Sequence, residues 1–138
     1  MNTESLILAA LAARDRAYAP YSSFKVGAAL LCTNGRMYTG CNIEDASYAA
    51  TICAERVAIY RAVSDGNQDF TKIVIIGAHD TETQDVFDYI APCGICRQVM
   101  LEFCNPDTFE VILAKDPDDY KSYRLGELIP YGFSKRNL

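Results

Sequence analysis

The sequence centres on the run Lys72-Ile73-Val74-Ile75-Ile76-Gly77-Ala78, which is almost continuously apolar and rich in β-branched residues. A strand of this composition is typical of the middle of a sheet that is covered on both faces. Phe109 to Ala114 predicts a second buried strand, and Tyr120 to Leu125 predicts a last strand at the edge. The chain is therefore expected to be built around a buried sheet.

The sequence Thr33-Asn34-Gly35 predicts a hairpin between the strands Lys25–Cys32 and Arg36–Cys41. Apolar periodicity and helix-ending residues predict three helices, at Thr3–Ala19, Cys53–Ser64 and Cys93–Phe103. Strands that alternate with helices favour an α/β fold. We predict one domain, residues 1–138, as a three-layer α/β/α sandwich with a mixed, roughly five-stranded sheet.

Composition excludes several classes of partner. The formal net charge is -5, whereas affinity for nucleic acid comes largely from Lys and Arg that neutralise phosphates. No apolar segment is long enough to span a membrane, and no targeting signal is recognisable. We therefore expect a cytoplasmic protein, in which the six cysteines are reduced and more often bind metal or catalyse than form cross-links.

Two short segments carry the candidate chemistry, Cys53-Ala54-Glu55 and Pro92-Cys93-Gly94-Ile95-Cys96. The sulfurs of a Cys-x-x-Cys unit at a helix start can bind one tetrahedral metal ion, and Cys53 at another helix start would supply a third sulfur. A helix N-terminus favours thiolate over thiol. Three protein ligands leave a fourth position for water, which is typical of catalytic zinc, and Glu55 is placed to move protons there.

Two other interpretations of these cysteines stay open at this point. A closed structural zinc site would need a fourth ligand, for which the sequence offers Cys32, Cys41, Cys104 and His79. We expect Cys32 and Cys41 to pack in the hairpin, Cys104 to lie too far along its helix, and the single histidine to lie in a loop. A Cys-x-x-Cys redox pair is the second possibility, but it leaves Cys53-Ala54-Glu55 unexplained.

These motifs together resemble the small, homotetrameric class of zinc-dependent cytidine deaminases. The resemblance covers nearly the whole chain and includes Tyr21–Leu30, Gly40–Tyr48, Cys53–Arg56, Pro92–Gln98, Leu128–Pro130 and Phe133. It implies one Zn²⁺ per subunit, held by Cys53, Cys93 and Cys96, and hydrolytic deamination of cytidine and deoxycytidine to uridine and deoxyuridine, with release of ammonia, in pyrimidine salvage.

The resemblance also implies a role for individual residues. Glu55 would move protons between water and the pyrimidine ring. Asn42 and Glu44 would hydrogen-bond the ribose hydroxyls, Phe24 would pack on the pyrimidine face, and backbone near Ala54 would meet the base edge.

Three further residues are implied to act around this centre. Arg56 would hydrogen-bond the ligand sulfurs and offset the negative charge of three thiolates around one Zn²⁺. Phe133 would close the pocket of a neighbouring subunit in a homotetramer, and Tyr48 would be another contact at the interface. Rival functions are a deaminase of the blasticidin type, a polynucleotide or tRNA deaminase, and a nucleoside-binding protein without turnover. Polynucleotide deaminases typically have His-Ala-Glu where this chain has Cys53-Ala54-Glu55.

Overall fold

The apolar run around Ile75 forms the middle strand of a five-stranded sheet in the computed structural model, which describes all 138 residues. In chain order the elements are α1 (Thr3–Arg14), β1 (Phe24–Cys32), β2 (Met37–Cys41), α2 (Ala54–Ser64), β3 (Phe70–His79), α3 (Gly94–Phe103), β4 (Glu110–Asp116), β5 (Asp119–Arg124) and α4 (Leu125–Leu128). The predicted strands and the second and third helices are confirmed, with ends that differ by at most two residues.

The sheet is mixed, with the strand order β2-β1-β3-β4-β5. Strands β3 and β4, which α3 connects, are parallel, and every other neighbouring pair is antiparallel. Strand β5 lies at the edge, as predicted. None of the helices is both long and apolar enough to cross a membrane.

Side chains of β1 alternate between two hydrophobic cores, one on each face of the sheet. Ala28 and Leu30 belong to the core that contains residues of α2 and α3, whereas Ala29 and Leu31 belong to the core that contains residues of α1. This alternation follows from the two-residue period of a strand. Helices therefore cover both faces, which confirms the predicted three-layer sandwich.

Two glycines let the helices lie directly on the sheet. A Cβ atom added at Gly40 in β2 would lie 2.3 Å from the carbonyl oxygen of Ala54, at the start of α2. A Cβ atom added at Gly27 in β1 would lie 1.9 Å from the carbonyl oxygen of Ala10 in α1. Because glycine has no Cβ, helix backbone and strand backbone are in contact at both points. The start of α2 is thus fixed against β2.

The prediction that the first helix continues to Ala19 is wrong, because α1 ends at Arg14. The backbone of Tyr18 instead pairs with a distant segment: its N–H donates to the carbonyl oxygen of Asn42 at 3.0 Å, and its carbonyl oxygen accepts from the N–H of Glu44 at 2.8 Å. This long-range pairing outweighs the local helical pattern. It also brings the end of the first helical region beside two of the predicted site residues.

Arg14 anchors the connection between β3 and α3. Its buried guanidinium donates to the carbonyl oxygens of Lys25 and Ala78, both at 3.0 Å, and lies 4.7 Å from the centre of the Phe87 ring. Phe87 is itself buried. Phe87 belongs to the segment 79–88, to which the sequence pattern assigns no function. The cation–π contact between Arg14 and Phe87 therefore fixes this segment beside α1.

Candidate metal centre and active-site cleft

Three cysteines from the starts of two helices come together between α2 and α3. The Sγ atoms of Cys53, Cys93 and Cys96 all lie within 4.8 Å of one another, and those of Cys53 and Cys93 are 3.7 Å apart. A tetrahedral Zn²⁺ with Zn–S bonds of about 2.3 Å holds its sulfurs about 3.8 Å apart. The spacing of the three predicted ligands therefore fits zinc.

The helix starts explain both the position and the chemistry of these sulfurs. Cys53 is the N-cap of α2, and Cys93 is the N-cap of α3. The backbone N–H of Cys96 donates to the Sγ of Cys93 at 3.5 Å. Free N–H groups and the positive end of the helix dipole stabilise thiolates, which is the form that binds metal.

Hydrogen bonding between Cys53 and Cys96 shifts the pKa values of the two thiols in opposite directions. A hydrogen bond from Cys96, together with the guanidinium of Arg56, lowers the pKa of Cys53 to about 5. The same hydrogen bond to Cys53 raises the pKa of Cys96, because Cys96 retains the shared proton. Cys53 therefore loses its proton more readily than Cys96 does.

Arg56 lies where a negative cluster needs a cation. Its Nη2 donates to the Sγ of Cys53 at 3.5 Å, and its Nε is buried without an acceptor. Three thiolates around Zn²⁺ carry an excess negative charge, which a neighbouring guanidinium offsets. A buried N–H without an acceptor is costly. The Arg56 guanidinium therefore suits a cluster of thiolates better than a cluster of neutral thiols.

No fourth ligand closes this site. The three cysteines form the only group of His, Cys, Asp and Glu side chains whose ligand atoms converge in this way. Cys32 and Cys104 are buried elsewhere, where burial raises the pKa of Cys104 to about 12, Cys41 is half-buried, and His79 is exposed at the end of β3. The cluster is therefore open, as a catalytic zinc site is, and does not have the four ligands of a structural one.

Glu55 provides a buried carboxyl group close to the cysteine cluster. It lies in the first turn of α2, two residues after Cys53, and only 4% of its surface is exposed. Burial raises the pKa of Glu55 to about 7. A buried carboxyl that titrates near neutrality can take up a proton in one step and release it in the next.

The cluster opens into a cleft of about 580 Å³. Five of the predicted site residues line it together with Cys53 and Cys93, namely Phe24, Asn42, Glu44, Ala54 and Glu55. No Lys, Arg or His lines it. A larger groove of about 810 Å³ between α2 and β2 contains none of the three clustered cysteines, so chemistry and not volume identifies the candidate site.

The side chain of Asn42 hydrogen-bonds to the backbone of β1, the strand that carries Phe24. Its Oδ1 accepts from the N–H of Val26 at 2.9 Å, and its Nδ2 donates to the carbonyl oxygen of Phe24 at 2.7 Å. A side-chain amide has two N–H donors and two acceptor positions. Asn42 thus keeps one donor and one acceptor position for a ligand in the cleft.

Glu44 is bound to the loop that precedes Phe24. Its Oε1 accepts from the backbone N–H groups of Tyr21 at 3.0 Å and Ser22 at 3.2 Å, and its Oε2 accepts from the hydroxyl of Ser22. The hydroxyl of Ser22 holds the pKa of Glu44 below its usual range. Because each carboxylate oxygen has about two acceptor positions, one position remains, on Oε2.

The other two predicted binding residues do not line this cleft. Tyr48 is 76% exposed, packs edge-on against Tyr21 at 6.1 Å, and borders a shallower depression that shares Ser22 and Glu44 with the cleft. Phe133 is 61% exposed, and its carbonyl oxygen accepts from the side chain of Gln98 in α3. Their contribution to neighbouring pockets stays a prediction.

Several cleft residues carry no role in the sequence-based prediction. Ser22 lines the cleft and binds Glu44, and Thr51, Ile90 and Ala91 also line it. A signal existed for Ser22, because a serine two residues before a backbone N–H often accepts from it in a tight turn. The N–H of Phe24 does donate to the Ser22 Oγ, at 3.0 Å.

Comparisons with known proteins agree on the kind of site. Residues 1–112 match the family model described as "Cytidine and deoxycytidylate deaminase zinc-binding region". A cytidine deaminase of Sporosarcina psychrophila is 44% identical over 138 residues, which cover all of this chain and 96% of that protein.

A solved structure and a more distant relative complete the comparison. The 1.6 Å crystal structure of cytidine deaminase from Burkholderia pseudomallei is 46% identical, with a TM-score of 0.85, over 96% of this chain and all of that chain. A blasticidin-S deaminase of Bacillus cereus is 32% identical over 111 residues, or 80% of this chain and 77% of that protein. The chain is thus similar both to cytidine deaminases and to a blasticidin-S deaminase.

Proposed function

The chain belongs to the cytidine and deoxycytidylate deaminase family, and we propose that it converts cytidine and deoxycytidine, with water, into uridine and deoxyuridine plus ammonia. It is a zinc-dependent hydrolase, and Cys53, Cys93 and Cys96 would hold the metal. The observation that carries the proposal is the open cysteine cluster beside buried Glu55, in a cleft large enough for a nucleoside.

The charge of the cleft favours a nucleoside over a nucleotide. No Lys, Arg or His lines the cleft, whereas Glu44 lies on its wall as an anion. A phosphate group would find no cation there and would be repelled by this carboxylate. Cytidine and deoxycytidine therefore fit the cleft better than deoxycytidylate does.

The chain's own residues supply the proton transfers. Zn²⁺, when bound, would supply the Lewis acidity that makes water nucleophilic near neutral pH. Glu55 takes a proton from the attacking water and delivers it to ring N3 of the pyrimidine. The water oxygen bonds to C4, and Glu55 takes the second proton from the resulting C4 hydroxyl. Glu55 passes this proton to the amino group as the C4–N4 bond breaks, so that C4 keeps a carbonyl oxygen and the amino group leaves as ammonia. One water is consumed and one ammonia released, so atoms and charge balance.

Two walls of the cleft orient the substrate. Phe24 lines the cleft and offers an aromatic face for the flat pyrimidine. Ala54 also lines the cleft, and its backbone is expected to meet the base edge. The free donor of Asn42 and the free acceptor position of Glu44 suffice for one sugar hydroxyl that donates to the carboxylate and accepts from the amide. Since ribose and deoxyribose share the 3′-hydroxyl, both nucleosides are expected to be substrates.

We further propose that the enzyme acts as a cytoplasmic homotetramer in pyrimidine salvage. All six cysteines are free, which suits a reducing compartment. The large exposed side chains of Tyr48 and Phe133 lie outside the subunit's own cleft, where they are available to neighbouring subunits. Light scattering would detect the tetramer, and a monomeric mass with full activity would contradict it.

The decisive test measures the loss of cytidine absorbance on addition of the purified, zinc-loaded protein. Cytidine and deoxycytidine should both be consumed, with release of one ammonia for each nucleoside. Parallel assays with deoxycytidylate, free cytosine, blasticidin S and single-stranded DNA test the rival functions. Turnover of blasticidin S without turnover of either nucleoside would overturn the proposal, as would a zinc-loaded protein that is inactive on all of them.

A further inference from the structure

Ser22 lies at the rim of the cleft and its hydroxyl makes two hydrogen bonds at once. Its Oγ accepts from the backbone N–H of Phe24 at 3.0 Å and donates to the Oε2 of Glu44. A serine hydroxyl has one hydrogen and can rotate freely. The bond from Phe24 occupies a lone pair of Oγ and so favours the rotamer in which the single hydrogen points at the carboxylate.

The backbone around Ser22 is held in a conformation that makes this geometry possible. Ser23 has a φ of 57°, in the left-handed region that residues other than glycine seldom adopt. Its N–H donates to the carbonyl oxygen of Ala19 at 2.9 Å, and its carbonyl oxygen accepts from the N–H of Asp80 at 2.7 Å. Strained backbone persists where surrounding contacts fix it, and it is common at ligand-binding sites.

We propose that Ser22 is a positioning residue for sugar recognition, because its hydroxyl fixes the Oε2 atom of Glu44 so that the one remaining acceptor position faces a substrate hydroxyl. This inference rests on the proposed function, since it names a residue that acts on the same nucleoside. Ser22 acts through Glu44 and is assigned no contact with the reacting atoms.

The hydrogen bonds to Glu44 explain why the Ser22 hydroxyl matters for the orientation of this carboxylate. Two backbone N–H groups already fill Oε1 of Glu44, so this carboxylate can recognise the substrate only through Oε2. Without the Ser22 hydroxyl, Oε2 would have two open positions and would lose the contact that fixes it. The N–H of Phe24 would also lose its partner. The carboxylate would remain in the cleft but with a less defined orientation.

Ser122 provides a matched control for a substitution of Ser22. The hydroxyl of Ser122 in β5 donates to the Glu110 carboxylate in β4, which is the same kind of exposed Ser–Glu pair, and neither residue lines the cleft. Ser22→Ala should raise KM for cytidine about 10-fold or more, the usual effect of losing a hydrogen bond to a charged group, while kcat changes less than about 2-fold. Ser122→Ala should leave both constants unchanged.

A second substrate separates positioning from a general structural effect. 2′,3′-Dideoxycytidine lacks the 2′- and 3′-hydroxyls and keeps only the 5′-hydroxyl, so Ser22→Ala should raise its KM by less than about 3-fold. In Glu44→Gln, whose carboxylate is absent, the additional change Ser22→Ala should have little effect, because the two residues act as one unit. Ser22→Thr, which keeps a hydroxyl, should restore KM for cytidine and serves as the folded comparison if the alanine variant is unstable.

Equal KM increases for cytidine and 2′,3′-dideoxycytidine, or additive effects of the two substitutions, would overturn the role of Ser22. Calorimetric binding of the product uridine gives the same comparison without turnover. Wild-type protein that deaminates cytidine, together with an unchanged Ser22→Ala variant, refutes this inference alone. Wild-type protein that neither deaminates cytidine nor binds uridine refutes the proposed function and this inference with it.

Discussion

The substitution Gly40→Ala should damage the metal centre although Gly40 does not line the cleft. The added Cβ would lie 2.3 Å from the carbonyl oxygen of Ala54, about 1.1 Å short of the 3.4 Å at which ordinary contact begins. It would also lie 2.7 Å from the backbone nitrogen of Ala58. Because both obstacles are helix backbone, no side chain can move aside, and the start of α2 must shift by about 1 Å.

This shift falls on the residue between Cys53 and Glu55. A misplacement of about 1 Å in a catalytic arrangement costs on the order of 100-fold in rate, and overpacking costs about 1–3 kcal/mol of stability. We therefore expect Gly40→Ala to lower kcat/KM for cytidine about 100-fold, with a reduced zinc content. Deamination is followed by absorbance, zinc by mass spectrometry, and the free energy of unfolding by urea titration.

Gly27→Ala is the matched comparison on the other face of the sheet. Its Cβ would lie 1.9 Å from the carbonyl oxygen of Ala10, so it clashes with α1, which carries no metal ligand. It should lower the free energy of unfolding at least as much, yet keep zinc and most of its kcat/KM at a temperature where it is folded. Wild-type kcat/KM in Gly40→Ala, or an equal loss in folded Gly27→Ala, would refute this reasoning.

Three other outcomes are expected. Glu55→Ala should retain one zinc per chain by mass spectrometry but lose at least about 100- to 10,000-fold in kcat, because no other group moves the protons; substantial remaining turnover would contradict its role. Removal of zinc should lower the free energy of unfolding by about 4 kcal/mol relative to protein in zinc at 1,000 times its Kd, and an unchanged melting temperature on chelation would argue against a bound metal. Arg14→Met should cost about 3 kcal/mol in urea denaturation, because the buried carbonyl oxygens of Lys25 and Ala78 lose their charged donor, while zinc content stays at one; a loss below about 1 kcal/mol would show that this anchor is dispensable.

The structural features that depend only on neighbouring residues in the sequence could be predicted. The hairpin at Thr33-Asn34-Gly35 and the strand around Ile75 depend on turn preferences and on apolar pattern, and the structure contains both. Cys93 and Cys96 are three residues apart at a helix start, so their convergence is almost a local property. Cys53 was predicted as the third ligand from its place at the start of another helix. Resemblance to a family then supplied the cleft residues, which lie far apart in the sequence.

Features fixed by contacts between distant segments were missed. The first helix ends at Arg14 because Tyr18 pairs with the segment that contains Asn42, and no local pattern records that pairing. The role of Ser22 depends on a partner 22 positions away, Glu44, and on a left-handed turn at the next residue. Such arrangements follow from tertiary structure, and a single sequence does not specify them.

The three candidate metal ligands lie in two separate parts of the chain, so a complete metal centre requires that both parts are assembled. Cys53 follows the β1–β2 hairpin, whereas Cys93 and Cys96 follow β3, and the exposed turn around Gly66 separates the two parts. A chain cut at that turn would yield two fragments, neither of which carries the complete ligand set. Production of ammonia from cytidine would then report whether the fragments had rejoined, so that proteins fused to each half could be tested for association in a split-enzyme assay.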